Sequence, residues 1–277
     1  MTSGKWTADP VAARADDPGG ENRPKNLETT CDLFFRGRFA ALQPARGGHR
    51  SGSDALLLAA ALPEGASGRL CELGAGAGVA AFAALTANPG LRATLVEIDR
   101  DMAELAQKSL ELPHNTHLRD RAEIVVGDAA ADARSRRKGG LAENAFDFVV
   151  MNPPYRRAAQ RPSPDERRRL AHHTGAHGID PWLRNAAAIL KPGGMLAMIW
   201  PSERLAELLL AAENRFGGLS ITPLHARAGE PAARIIVTAR RGGRAPLAIR
   251  PAVVLHGAGG ESTGIAEALL NGKARIG

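Results

Sequence analysis

Apolar and polar positions fall into two regimes along the chain. Residues 1–28 show no hydrophobic periodicity and are rich in Pro, Gly, Asp and Ala, a composition that predicts a disordered tail. Apolar and polar residues then alternate over 32–42, as in a short hairpin. A Gly- and Arg-rich loop follows at 44–52. Ser51, Ser53 and Asp54 stand ahead of an apolar run at 55–62, the pattern of a capped helix.

From there the pattern becomes regular. Strands are expected at 69–73, 93–98, 123–126, 146–151 and 195–200. Helices are expected at 79–87, around Met102, Leu105 and Leu110, at 181–190 and at 202–214. Asn88-Pro89-Gly90 and Lys191-Pro192-Gly193-Gly194 supply stops, and Asp101 with Glu104 reads as a capping box. Two more strands are expected at 219–223 and 233–239. The tail from Ala245 adds a strand at 247–254 and a helix at 262–270. Strands alternating with helices imply a mostly parallel sheet with helices on both faces. No repeat or internal boundary marks a second full domain, so residues 29–277 are expected to form one α/β domain.

Composition narrows the picture. The 277 residues suffice for a sizeable core, and at 4% aromatic residues that core must rest on Leu, Val, Ile and Ala. No apolar stretch approaches the ~20 residues of a membrane span, and no secretory pattern opens the chain. Cytoplasm is the expected location, with no membrane partner. Cys31 and Cys71 are too few for a disulfide framework, and neither has a metal-ligand neighbour at useful spacing. Cys71, within a core strand, reads as a small buried hydrophobe. No metal is expected.

The net charge is +7. Residues 1–30 hold four basic and five acidic side chains, a net −1, so the remainder carries +8. A basic domain suits a polyanion such as nucleic acid, although a solvated basic face accounts for the charge equally well.

Candidate chemistry sits at strand ends. Glu72-Leu73-Gly74-Ala75-Gly76-Ala77-Gly78 joins the first core strand to its helix, where glycines allow a tight turn and close approach of a ligand. Glu97 ends the second strand about 20 residues further on, where an acid binds ribose hydroxyls. That spacing suits NAD as well. Asp128, after the third strand, either accepts from an adenine amino group or serves as a turn residue.

Asn152-Pro153-Pro154-Tyr155 follows the fourth strand. The prolines stiffen the backbone and fix where Asn152 and Tyr155 point. An exocyclic amine is a poor nucleophile because its lone pair is delocalised. Carbonyls of Asn152 and a proline accept its N–H groups and aim the lone pair, and Tyr155 stacks on a planar substrate. The methyl of a sulfonium is already activated, so the protein's work is alignment and electrostatics.

On these residues the chain resembles class I methyltransferases acting on amino groups, and more narrowly the valine tRNA adenine-N6 methyltransferases. Asp32-Leu33-Phe34-Phe35, Gln43-Pro44 and Gly48-His49-Arg50-Ser51-Gly52-Ser53-Asp54 through Leu57-Leu58 match that family's lead-in segment. An Arg-rich loop follows Asn-Pro-Pro-Tyr, and the chain closes with Ile249-Arg250 and a helix at 262–270. The resemblance covers about residues 30–272. It implies a Rossmann-like class I fold with a mostly parallel seven-stranded sheet, S-adenosyl-L-methionine as cofactor, and methylation of an adenine N6 of tRNA, next to the anticodon of a valine tRNA. Carried over by position, Gly52 and Asp54 lie near the methionine end. Glu72, Gly74, Gly76, Gly78, Glu97, Asp128 and Asn152 hold the cofactor, and Asn152, Pro153 and Tyr155 hold the base. The loop at 129–140, with Arg134, Arg136, Arg137 and Lys138, is longer and more basic than the compact bacterial members suggest.

Arg156, Arg157, Arg161, Arg167, Arg168 and Arg169, interrupted only by Asp165 and Glu166 among charged residues, read as phosphate contacts beside the catalytic motif. His172, His173 and His177 lack a carboxylate or Cys to complete a metal set and read as loop histidines. The competing expectations are a protein-glutamine methyltransferase of the release-factor type, which also uses Asn-Pro-Pro-Tyr, a guanine-N2 RNA methyltransferase, and a non-catalytic RNA-binding protein on the same fold. A monomer is the simplest expectation for the assembly.

Overall fold

The computed structural model describes residues 28–45, 51–154 and 178–277. The lead-in is a hairpin, β1 (Thr29–Phe34) and β2 (Phe39–Pro44), paired antiparallel. Helix α1 (Ser53–Ala60) leads into the sheet. There follow β3 (Gly68–Leu73), α2 (Val79–Ala87), β4 (Leu91–Glu97), α3 (Arg100–Leu110) and β5 (Ala122–Val126). Next come α4 (Ala133–Lys138), β6 (Phe146–Met151), α5 (Asp180–Ile189) and β7 (Leu190–Pro201). The chain ends with α6 (Leu205–Ala212), β8 (Phe216–Arg227), β9 (Arg234–Arg241), β10 (Ala248–Ile249), β11 (Val253–His256) and α7 (Gly264–Leu270).

The expected seven strands lie in the order β8-β9-β7-β6-β3-β4-β5. Among them β9 runs antiparallel to both of its neighbours, and the other pairs are parallel. Two short strands, β10 and β11, extend the sheet by pairing parallel with β8. The sequence pattern predicts one strand at 247–254. The structure divides it at Pro251, which has no N–H to give to a ladder.

Both sheet faces are covered, which is why the strands read as apolar runs rather than alternations. On one face Leu70 packs with Leu57, Leu58, Phe82 and Leu85, closed over by Leu269 and Ile276. On the other, Cys71, Val149 and Met151 pack with Trp182, Leu183, Ile189 and Leu208. Cys71 is the buried hydrophobe expected of it, its thiol pushed far up by burial.

Several local expectations are corrected. The first residue flanking α1 is Gly52, with no side-chain cap, so Ser51, Ser53 and Asp54 do not cap that helix. Asp99, not Asp101, caps α3, its carboxylate accepting from the amides of Asp101 (3.0 Å) and Met102 (3.4 Å). Glu104 pairs instead with Lys108, one turn on. The helix expected over 202–214 opens as a 3-10 turn, Ser202–Arg204, before α6. The basic loop at 129–140 contains α4, capped by Asp132. Arg136 points inward there, because Asn185 and Glu143 supply acceptors that offset its desolvation.

Candidate functional site

Strand register assembles the site. The pairings Met151–Leu73, Leu73–Val96 and Val96–Val125 form one row across β6, β3, β4 and β5. The next residue of each strand therefore reaches the carboxyl edge at one level: Asn152, Gly74, Glu97 and Val126. Neighbouring strands lie about 4.8 Å apart, so this row spans roughly 14 Å. The chain moves outward from β3 through β4 and β5, then returns to place β6 on the other side of β3. That reversal is a topological switch point, where ligands of open α/β sheets bind.

The glycine loop folds over this edge. The amides of Gly74 and Ala75 both donate to the Val96 carbonyl, at 2.8 and 2.9 Å. Gly74, Gly76 and Gly78 have φ of +72°, +55° and +83°. A Cβ on Gly74 would stand 2.8 Å from Trp182 Cη2, and one on Gly78 2.8 Å from Leu95 Cδ2. Both positions are thus closed to a side chain by packing as well as by backbone conformation.

Glu97 ties the loop to its neighbours. Its Oε2 accepts from the Gly76 amide at 2.7 Å and its Oε1 from the Asp99 amide at 2.8 Å. Its carbonyl accepts from Gly127 at 2.9 Å, which joins the ends of β4 and β5. Asp128 is exposed just beyond, with Oδ1 accepting from the Ala130 amide at 2.7 Å. Glu72 lies beneath the loop. Its Oε2 accepts from the Ala81 amide of α2 at 2.8 Å. Burial pushes its carboxyl up to about 8, against the lowering effect of that hydrogen bond.

Asn152 is half-buried and Pro153 buried, directly after β6. At the approach to the same edge, Asp54 on α1 accepts from Arg234 Nε of β9 at 2.5 Å. Gly52 is exposed beside it. Tyr155, Arg156, Arg157, Arg161, Arg167, Arg168, Arg169, His172, His173 and His177 lie outside the described residues. Among the described residues, no group of three or more His, Cys, Asp or Glu is arranged to hold a metal ion, and no helix is long and apolar enough to cross a membrane.

Sequence reasoning did not single out Trp182, Asn185 or Arg234, and gave Gln43 no role beyond its place in the lead-in segment. Trp182 carries a signal, being one of three Trp in a chain with few aromatics. Gln43 holds Ser51 through a two-way main-chain clamp, accepting from its amide at 2.7 Å and donating to its carbonyl at 3.2 Å. Nothing local in the sequence marks that contact.

The comparisons with known proteins agree with this geometry. Residues 48–220 match the family model of the methyltransferase small domain. A tRNA1(Val) (adenine(37)-N6)-methyltransferase of Porphyromonas gingivalis is 30% identical over 167 residues, 59% of this chain, and the chain spans 63% of that relative's length. The enzyme of the same name from Aeromonas salmonicida is 28% identical over 76% of this chain and 83% of its own. A solved structure of a predicted O-methyltransferase from Agrobacterium tumefaciens is 37% identical, with TM-score 0.70, covering 80% of this chain and 98% of that one. The Thermus thermophilus 16S rRNA N2 G1207 methyltransferase shares the fold at TM-score 0.51 and 22% identity, over 79% of this chain and 51% of that one. With a family model matched across the glycine loop, the strand-end acids and Asn152, the chain belongs to the methyltransferase small domain family.

Proposed function

We propose that the protein transfers a methyl group from S-adenosylmethionine to an adenine N6 of a tRNA, next to the anticodon of a valine tRNA. The observation that carries this reading is the single row of Asn152, Gly74, Glu97 and Val126 at the switch point, with Asp128 two residues beyond.

The residues present fit the cofactor. A Cβ on Gly76 would meet only Met102 Cε, at 3.7 Å, so the loop there has room beside it. Glu97 is an acceptor for ribose hydroxyls at the end of β4, and the exposed Asp128 is an acceptor for the adenine amino group. Gly52 and Asp54 flank the methionine end, and Glu72 supports the loop from beneath. When bound, S-adenosylmethionine supplies a methyl already activated by its sulfonium.

The chain's own groups then orient the acceptor. The Asn152 side-chain carbonyl and the Pro153 carbonyl accept the two N–H bonds of the amine, which draws electron density to nitrogen and directs its lone pair. Tyr155 stacks on the base, a contact worth about 1–3 kcal/mol. The Agrobacterium relative is described as a predicted O-methyltransferase, but a hydroxyl acceptor has no use for two such carbonyls. The +8 charge outside residues 1–30 suits RNA, with Arg156, Arg157, Arg161 and Arg167–Arg169 as phosphate contacts. The names of the Porphyromonas and Aeromonas relatives support the tRNA assignment.

The test offers labelled methyl donor with total tRNA, with ribosomal RNA and with a release factor. Label in tRNA that digests to N6-methyladenosine is expected. Label in the release factor alone would replace RNA by a glutamine side chain as substrate. N2-methylguanosine would keep the cofactor reading and remove the adenine.

A further inference from the structure

Asn185 lies on α5, remote in sequence from every residue of the cofactor reading, yet its side chain grips the loop that carries Asp128. It is 2% exposed. Its Nδ2 donates to the carbonyls of Ala129 (2.9 Å) and Ala131 (2.8 Å), so both amide hydrogens are committed. Its Oδ1 accepts from Arg136 Nη1 at 2.9 Å. Arg136, itself buried on α4, places Nη2 3.0 Å from Glu143 Oε1.

This network admits one amide orientation. Turning the Asn185 amide over would set its oxygen against two carbonyls and its NH2 against a guanidinium. The loop it holds is a tight turn, closed by the Ala131 amide on the Asp128 carbonyl at 3.1 Å and by the Ala130 amide on Asp128 Oδ1 at 2.7 Å. With Ala129 and Ala131 anchored from inside, the Asp128 carboxylate has a fixed place at the rim. The same helix presses Trp182 against Gly74, one turn before Asn185. Thus α5 is a common platform behind both loops of the cofactor crevice.

We propose that Asn185, oriented by Arg136, is a positioning residue that sets Asp128 for recognition of the exocyclic amino group of the cofactor's adenine. The proposal rests on the cofactor reading above, and deepens it. Asn185 touches no ligand. It acts by supplying two donors to the carbonyls of buried Ala129 and half-buried Ala131, and the first of these would otherwise be buried without a partner, a condition that would force the turn to open.

The experiment compares binding of S-adenosylhomocysteine with that of its inosine analogue, in which a carbonyl replaces the amino group that Asp128 accepts from. Calorimetry is run on the full chain, on wild type, Asn185→Leu and Arg136→Met. Wild type should prefer the amino ligand by tenfold or more. In Asn185→Leu the amino ligand should weaken at least tenfold and the inosine analogue less than twofold, so that discrimination collapses. The single-turnover methyl-transfer rate at saturating cofactor should stay within twofold. Arg136→Met leaves the two Asn185 donors in place but removes the donor to its buried Oδ1, which loosens the amide. It should reduce discrimination at least threefold, and it carries the test if Asn185→Leu does not fold. Equal weakening of both ligands, with discrimination intact, would overturn the positioning role and leave the cofactor reading standing. A wild type that binds neither ligand would overturn the cofactor reading, and the role of Asn185 with it.

Discussion

Replacing Glu72 by Gln isolates the energetics of one buried carboxyl. Glu72 is 3% exposed, and its Oε2 accepts from Ala81, one of the first amides of α2 and without a partner inside the helix. Burial is the main cause of a carboxyl pKa raised from 4.5 to about 8, and the charge of Glu97 adds to it. The folded state therefore holds a proton that the unfolded chain releases. The stabilisation associated with that proton is complete below pH 4.5, and it is lost as pH rises towards 8. At 1.36 kcal/mol per pKa unit, a shift of this size is on the order of 4 kcal/mol between the ends of the window. The Glu72→Gln amide has the same shape, still accepts from Ala81, and does not titrate. Urea unfolding of both proteins from pH 5 to 9 measures the difference, in which all other titrations cancel. Near pH 5 the two should be similar. The advantage of Glu72→Gln should then grow to on the order of 4 kcal/mol by pH 9, or roughly 10 °C in melting temperature for a domain of this size. A difference that stays constant across this range would refute the account of Glu72 as a buried neutral acid. So would a variant that loses ground as pH rises.

Gly78→Ala should destabilise the fold by about 2–4 kcal/mol, since the added methyl meets Leu95 and Phe82 and the backbone has φ of +83°; thermal unfolding checks this. Asn152→Ala should lower the single-turnover rate at saturating cofactor by about a hundredfold or more, as for one lost preorganised contact; a wild-type rate would remove Asn152 from the mechanism. Replacing Arg167, Arg168 and Arg169 together by Ala should weaken RNA binding and flatten its dependence on salt by about three units of log–log slope at most, with cofactor binding unchanged. Titrations across a salt series read that slope.

The elements of the sheet were legible because their signals are local. Strands buried on both faces become short apolar runs, and Asn88-Pro89-Gly90 stops its helix by its own stereochemistry. The glycines of the loop were legible for the same reason, as φ is a property of one residue. Choices between equivalent neighbours were not. Asp99 and Asp101 are equally good caps, and the backbone geometry where β4 meets α3 selected Asp99. Arg136 sits in a run of cations that reads as solvated surface. Only Asn185 and Glu143, brought to it by the fold, make its burial tolerable.

The sequence by itself determined the alternation of strands and helices, and the presence of a glycine turn, strand-end acids and Asn152-Pro153-Pro154. Each of these follows from hydrophobic period or backbone stereochemistry within a few residues. Only the tertiary structure decided that Asn152, Gly74, Glu97 and Val126 share one level, because register between strand residues 23 to 78 positions apart depends on packing across both sheet faces. It also decided that Asn185 stands behind Asp128. A hydrogen bond over 50 or more residues has no local trace, since it forms only when the chain between has folded.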